Sequence, residues 1–214
     1  MSIVPVDVVL QAPPIEYFMP TPYFSLARFG RWDELLAEPA PSSDLKYTTG
    51  MWHYSRGLAH AAQGHLDQAQ AEYNRTAAIA AAIPAEQLAG LNSARALLGI
   101  AEQHLAAKIA LLQGDTARAI TTLQQAIAGE DALTYDEPPA WYHPLRLELG
   151  AVYLAANRPA EAERAFRDDL AYWQENGWAL KGLAQSLRAQ KKDTEATAVE
   201  QRFKKAWGEM AMTP

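Results

Sequence analysis

The stretch "LELGAVYLAANRPAEAERAF" at residues 147–166 returns in altered form 34 positions further on, and no other feature constrains the chain as much. Leu149 falls on Leu183, Gly150 on Ala184, Tyr153 on Leu187 and Ala162 on Ala196, each apolar or small where its counterpart is. Asn157, Arg158 and Pro159 split the stretch into two helical runs. A period of this length reads as repeated helix-turn-helix pairs when a large apolar residue has a small one beside it and a second small one enters the next helix. The small residues let two helices approach, and the large ones fill the space between successive pairs.

Two looser copies precede these. Gly57, Gly64, Ala69 and Tyr73 take the small, turn, small and large roles in one, and Ala107, Gly114, Ala119 and Leu123 take them in the other. Glycine at a turn suits a left-handed helix C-cap, and Asp67 and Asp115 then stand where a helix N-terminus favours a carboxylate. A partial copy, "YFSLARFGRWDELL", comes first and is cut short by Pro39 and Pro41. The pattern predicts helices over 21–29, 31–37, 44–63, 65–82, 85–113, 115–128, 140–156, 159–175, 178–190 and 193–209. Trp207 and Met210 would close the array as a capping helix. The spacing from Gly64 to Gly114 is 50 residues, and its alanines and leucines read as a lengthened helix pair. Between Gly114 and Asn157 the spacing is 43, because "GEDALTYDEPPAW" interrupts the rhythm, and its paired prolines forbid continuous helix.

On these residues the chain resembles a tetratricopeptide repeat protein over roughly 44–207. The strings "RFGRWDELL", "MWHYSRGLA", "YDEPPAWYHPLRLELGAVYL" and "ENGWALKGLAQSLRAQ" resemble the C-terminal half of larger bacterial proteins of that family. The resemblance implies an all-α, right-handed solenoid of helix pairs. It would comprise an N-terminal segment over 1–43 with a partial pair, and a repeat domain over 44–214. It also implies a noncatalytic scaffold that binds a peptide segment or protein partner, or another copy of itself, along a concave face lined by the first helices. The groove candidates are Tyr54, Arg56, His104, Lys108, Glu137, Trp141, Arg146, Lys181, Gln185 and Arg188. Lysine and arginine there would hold an extended peptide or a carboxylate. Trp52, Trp141 and Trp178 read as packing between neighbouring pairs, and the sharper alternative makes Trp141 a partly exposed anchor for a partner.

Arg56 stands where Leu149 and Leu183 are apolar, so it needs a carboxylate partner. Asp136 and Glu137 on the insertion, with Asp44 and Glu102 closer by, are the expected choices. Pairing of Asp136 or Glu137 with Arg56 or Arg146 would make the insertion a lid.

Charge and composition exclude several classes. A net charge of −6 argues against a nucleic-acid partner. Residues 130–175 hold 10 acids and 4 bases and residues 181–214 hold 4 acids and 7 bases, a polarity that suits a solvated surface or an end-to-end contact. There is no cysteine, hence no disulfide, thiolate or cysteine-bound zinc. The opening "MSIVPVDVVLQAPP" is a poor signal peptide and too short to span a bilayer, so a soluble protein is expected, cytoplasmic rather than periplasmic unless it is part of a longer secreted chain. Neither cofactor nor metal is expected. The rival reading is a metal-dependent or other enzyme using His53, His60 and His104. Against it, there is no HExxH string, no pair of histidines at i, i+4, no GxSxG elbow and no glycine-rich phosphate cradle.

Overall fold

The structure, a computed structural model, describes residues 5–208, and regular structure among them is almost wholly α-helical. The order is α1 (Val6–Gln11), a 3-10 helix (Pro13–Phe18), α2 (Thr21–Arg28), α3 (Trp32–Ala37), α4 (Lys46–Ala62) and α5 (Leu66–Ala82). A short antiparallel hairpin follows, β1 (Leu88–Ala89) with β2 (Asn92–Ser93). Then come α6 (Ala94–Leu112), α7 (Thr116–Asp131), α8 (Leu145–Ala155), α9 (Pro159–Tyr172), α10 (Gly177–Ala189) and α11 (Asp193–Trp207). No described helix is long and apolar enough to cross a membrane.

One turn recurs five times. Gly30, Gly64, Gly114, Asn157 and Lys191 all have φ between 55° and 78°. The next residue's N–H returns to the carbonyl five positions back, at Leu26, His60, Ala110, Tyr153 and Leu187, over 2.8 to 3.0 Å. This is the bonding of a helix ended by a left-handed residue. Four residues on, Leu35, Ala69, Ala119, Ala162 and Ala196 start the next helix on its buried side, each with no exposed surface. Asp115 caps α7 by accepting from the Arg118 N–H at 3.0 Å. The helix pairs are therefore α2/α3, α4/α5, α6/α7, α8/α9 and α10/α11.

The chain forms two compact units that divide at His143 and Pro144. In the first, α4 touches both α2 and α6, so first helices meet first helices, while α3 packs on α4 and α5 on α6. Its core holds Tyr47, Met51, Tyr54, Leu97, Leu98, Leu105 and Leu123. The 3-10 helix upstream of the first pair packs into this unit: Glu16, buried, accepts from the Thr48 N–H at 2.8 Å and from Gln87 at 3.2 Å. Leu45 offers α4 no side-chain cap, so Glu16 caps that helix from upstream.

The second unit repeats the pattern, with α8 against α10 and α9 against α10. The Phe166 ring fills a notch over two glycines: a β-carbon at Gly150 would come within 2.6 Å of it, and one at Gly182 within 2.3 Å. Trp207 closes over Gly177 and meets Trp178 edge-on at 4.5 Å. Met210, expected beside it, lies outside the described residues.

Two expectations about length need correction. The long spacing between Gly64 and Gly114 is not one extended helix pair, because helix stops at Ala82 and resumes at Ala94. Pro84 cannot continue the helical ladder, and Gly90, with φ +62°, opens the turn of the hairpin. A β-carbon on Gly90 would stand 2.5 Å from Asp136 Oδ2. Likewise the segment predicted to be helical from residue 140 is irregular until Leu145.

Candidate functional site

In the first unit, residues 138–143 lie across the three first helices. The Tyr17 hydroxyl donates to the carbonyls of Pro138 at 3.1 Å and Pro139 at 2.8 Å. Burial and the Asp136 charge push this phenol up to about 12, so it stays a donor. Tyr142 stacks on Phe24 of α2 with ring centroids 4.1 Å apart and planes within 1°. Its hydroxyl is 3.1 Å from that of Tyr54 on α4, which in turn is 2.7 Å from Nδ1 of His104 on α6. The Trp141 ring is 5.8 Å from that of Tyr54, and His143 stacks on His104 at 6.1 Å.

Arg28 of α2 meets His143 Nδ1 at 2.5 Å. A guanidinium only donates, so Nδ1 accepts in this contact. Rings, hydroxyls and one cation thus hold a non-helical segment against Phe24, Arg28, Tyr54 and His104.

The insertion is fixed further by hydrogen bonds the sequence did not point to. Asn92 exchanges two bonds with Thr134, at 2.9 and 2.7 Å, and Asp136 accepts from the Leu91 N–H at 3.0 Å. Glu137 takes a hydrogen bond from the Tyr135 hydroxyl. Within the first unit Asp136 and Glu137 take these partners and Arg56 takes another, so the segment is held through aromatic and backbone contacts instead of the expected pairing with Arg56.

Arg56 does find a carboxylate, but it is Glu72. Arg56 Nε donates to Glu72 Oε1 at 3.1 Å, Nη1 donates to the Leu36 carbonyl at 2.8 Å, and the guanidinium lies 4.7 Å over the Trp52 ring. His53 Nδ1 and Arg75 also reach Glu72, at 2.6 and 3.2 Å. Burial alone would raise the Glu72 carboxyl, yet the hydrogen bonds and charges of His53 and Arg56 hold it below the ordinary glutamate range. Glu72 was legible in principle: with Ala69, Thr76 and Ala80 it forms the buried stripe of α5.

The other groove candidates differ in exposure. Tyr54, His104 and Trp141 are buried, so Trp141 fits the packing reading rather than that of a partly exposed anchor, and its indole N–H has no partner. Lys108 is half-buried on α6. In the second unit Arg146 lies 4.9 Å over the Tyr172 ring, Lys181 is half-buried and Gln185 exposed. Arg188 turns to α11, clamping Asp193 and Glu200 at 2.9 Å each.

The rival set of His53, His60 and His104 is not brought together around one point. His53 is on Glu72, His104 is on Tyr54, and His60 faces His65 at 5.9 Å with its ring held below the ordinary histidine range by burial and the Arg56 charge. Among the described residues no three histidine or carboxylate side chains stand where they could share an ion.

No protein-family model matches this chain, and neither does any curated protein or solved structure.

Proposed function

We propose that the chain is a tetratricopeptide-like repeat protein, a right-handed solenoid of helix pairs that binds an extended segment of a protein partner and catalyses no reaction. The recurring left-handed turn and the contacts of first helix with first helix in each unit support the architecture. One observation carries the binding role: the face made by α2, α4 and α6 takes up an irregular stretch of chain through a stacked ring, a hydroxyl pair and a cation to an imidazole. Those contacts are the chemistry of extended-peptide recognition, with aromatic anchors supplying area at small entropic cost.

Selection from a library of displayed peptides, run on the wild-type chain and on Tyr142→Ala, tests the role. Enrichment of a sequence class whose binding falls at least about tenfold with Phe24→Ala supports it. Failure of both chains to enrich any sequence would overturn it. Sedimentation of the same samples shows whether a second copy is the partner instead.

A further inference from the structure

We infer that residues Pro138–His143 are a displaceable strap, an internal occupant of the α2, α4 and α6 face that a partner's extended segment with the same proline and aromatic chemistry replaces. The inference rests on the binding role proposed above and names what the face recognises.

Three observations separate a strap from ordinary core. The segment is irregular where every neighbour is helix, and it begins exposed, since Glu137, Pro138 and Pro139 face solvent before Trp141 is buried. Its anchors on the face, Phe24, Arg28, Tyr54 and His104, all come from first helices, with Tyr17 gripping only backbone carbonyls. The Trp141 indole N–H is buried without a partner. An unpaired buried donor weighs against the closed state, because lifting the segment returns that N–H to water. Prolines at 138 and 139 limit the disorder gained on release, which keeps the strap poised close to the face it leaves.

The direct test uses a synthetic peptide, EPPAWYH, which is the strap preceded by Glu137, added to the intact chain. Tyr142→Ala weakens the internal copy by removing the stack on Phe24 and the hydroxyl on Tyr54, so the variant should bind the peptide at least about tenfold more tightly than wild type. Adding Phe24→Ala should abolish the gain. Equal affinity in wild type and Tyr142→Ala, or no binding by either, overturns the strap. Should Tyr142→Ala lose its helical signal, Tyr142→Phe removes the hydroxyl alone, and a smaller gain in peptide affinity is expected.

Hydrogen exchange on the wild-type chain gives an independent reading. Backbone N–H groups at 140–143 should exchange at least about tenfold faster than the buried turns of α4 and α6, and exchange as slow as those turns would mean the segment opens only on unfolding. The two proposals fail differently: library peptides indifferent to Tyr142→Ala would end the strap and leave the binding role intact.

Discussion

Arg56 and Glu72 form a charge pair between α4 and α5 in which the carboxylate has 4% of its side chain exposed and the guanidinium 21%. Leaving the buried Glu72 position without its acceptor strands Arg56 and His53, so Glu72→Ala should cost about 3 kcal/mol or more. Arg56→Met, at the wetter end, should cost less, and the double variant should lose less than the sum of the singles. Additive losses in denaturant melts would show that the two residues act separately.

The notch over Phe166 reverses a usual rule. Alanine in place of a helical glycine ordinarily stabilises by roughly 0.5–1 kcal/mol, and Gly99→Ala should do so, since nothing lies within 4 Å of the added carbon. Gly150→Ala and Gly182→Ala should instead each cost on the order of 1–3 kcal/mol, because the ring must move. Thermal midpoints rising for Gly99→Ala and falling for the other two are the expected result.

Ala162, fully buried at the start of α9, gives a matching contrast. Ala162→Trp should cost on the order of 1–3 kcal/mol or more, whereas Glu161→Gln removes only a surface pair to Arg158 and should be nearly neutral. Equal shifts would refute the placement of the helix pair.

Acid should weaken the second unit through Glu163. Burial raises its carboxyl, but hydrogen bonds from Lys192, Gln190 and Arg167 outweigh this and bring it to about 2, from an ordinary 4.5. A lowered carboxylate contributes stability that is present above the unfolded value and lost as pH falls through the folded one. The loss should therefore run from about pH 4.5 to about pH 2, and Glu163→Gln should flatten that part of the stability curve. A curve with unchanged slope would count against the network.

Glu16 should show the opposite sign. Burial raises its carboxyl despite the hydrogen bonds it accepts from Thr48, Tyr47 and Gln87. Its contribution is then fully present below the unfolded value and lost as pH rises through the folded one. Glu16→Gln keeps an acceptor for the Thr48 N–H and should be neutral or stabilising at neutral pH, with the gain vanishing below about pH 4. Marked destabilisation at neutral pH would mean that the charge itself is needed at the start of α4.

The turns were readable because a left-handed residue and a small one five positions later leave a local mark in the chain, as at Gly64 with Ala69 and Gly114 with Ala119. Lys191 occupies the same conformation without the glycine or asparagine that announces it, and only the 34-residue period places it. The helix read through 85–93 failed because alanine and leucine content was weighed above Pro84 and Gly90. Arg56 signalled its own need for a carboxylate, but the choice of Glu72 required projecting α5 onto its buried stripe. Phe24 with Tyr142, and Arg28 with His143, had no local sign at all. Residues more than 110 positions apart meet only because the helix pairs between them bring them there.

Arrays of helix pairs ordinarily unravel from an end, since each pair answers only to its neighbours. In the first unit that freedom is limited while residues 138–143 stay closed on the face. Tyr17 to Pro139 spans 122 positions and Arg28 to His143 spans 115, so the beginning and the end of the unit are buckled together. Short α2 and α3, of 8 and 6 residues, are too small to be independently stable helices, and the buckle spares them from fraying alone. The whole unit should accordingly melt as one cooperative block, and undoing the buckle at Tyr17 or Arg28 should split off a low-temperature transition confined to the helices before α4.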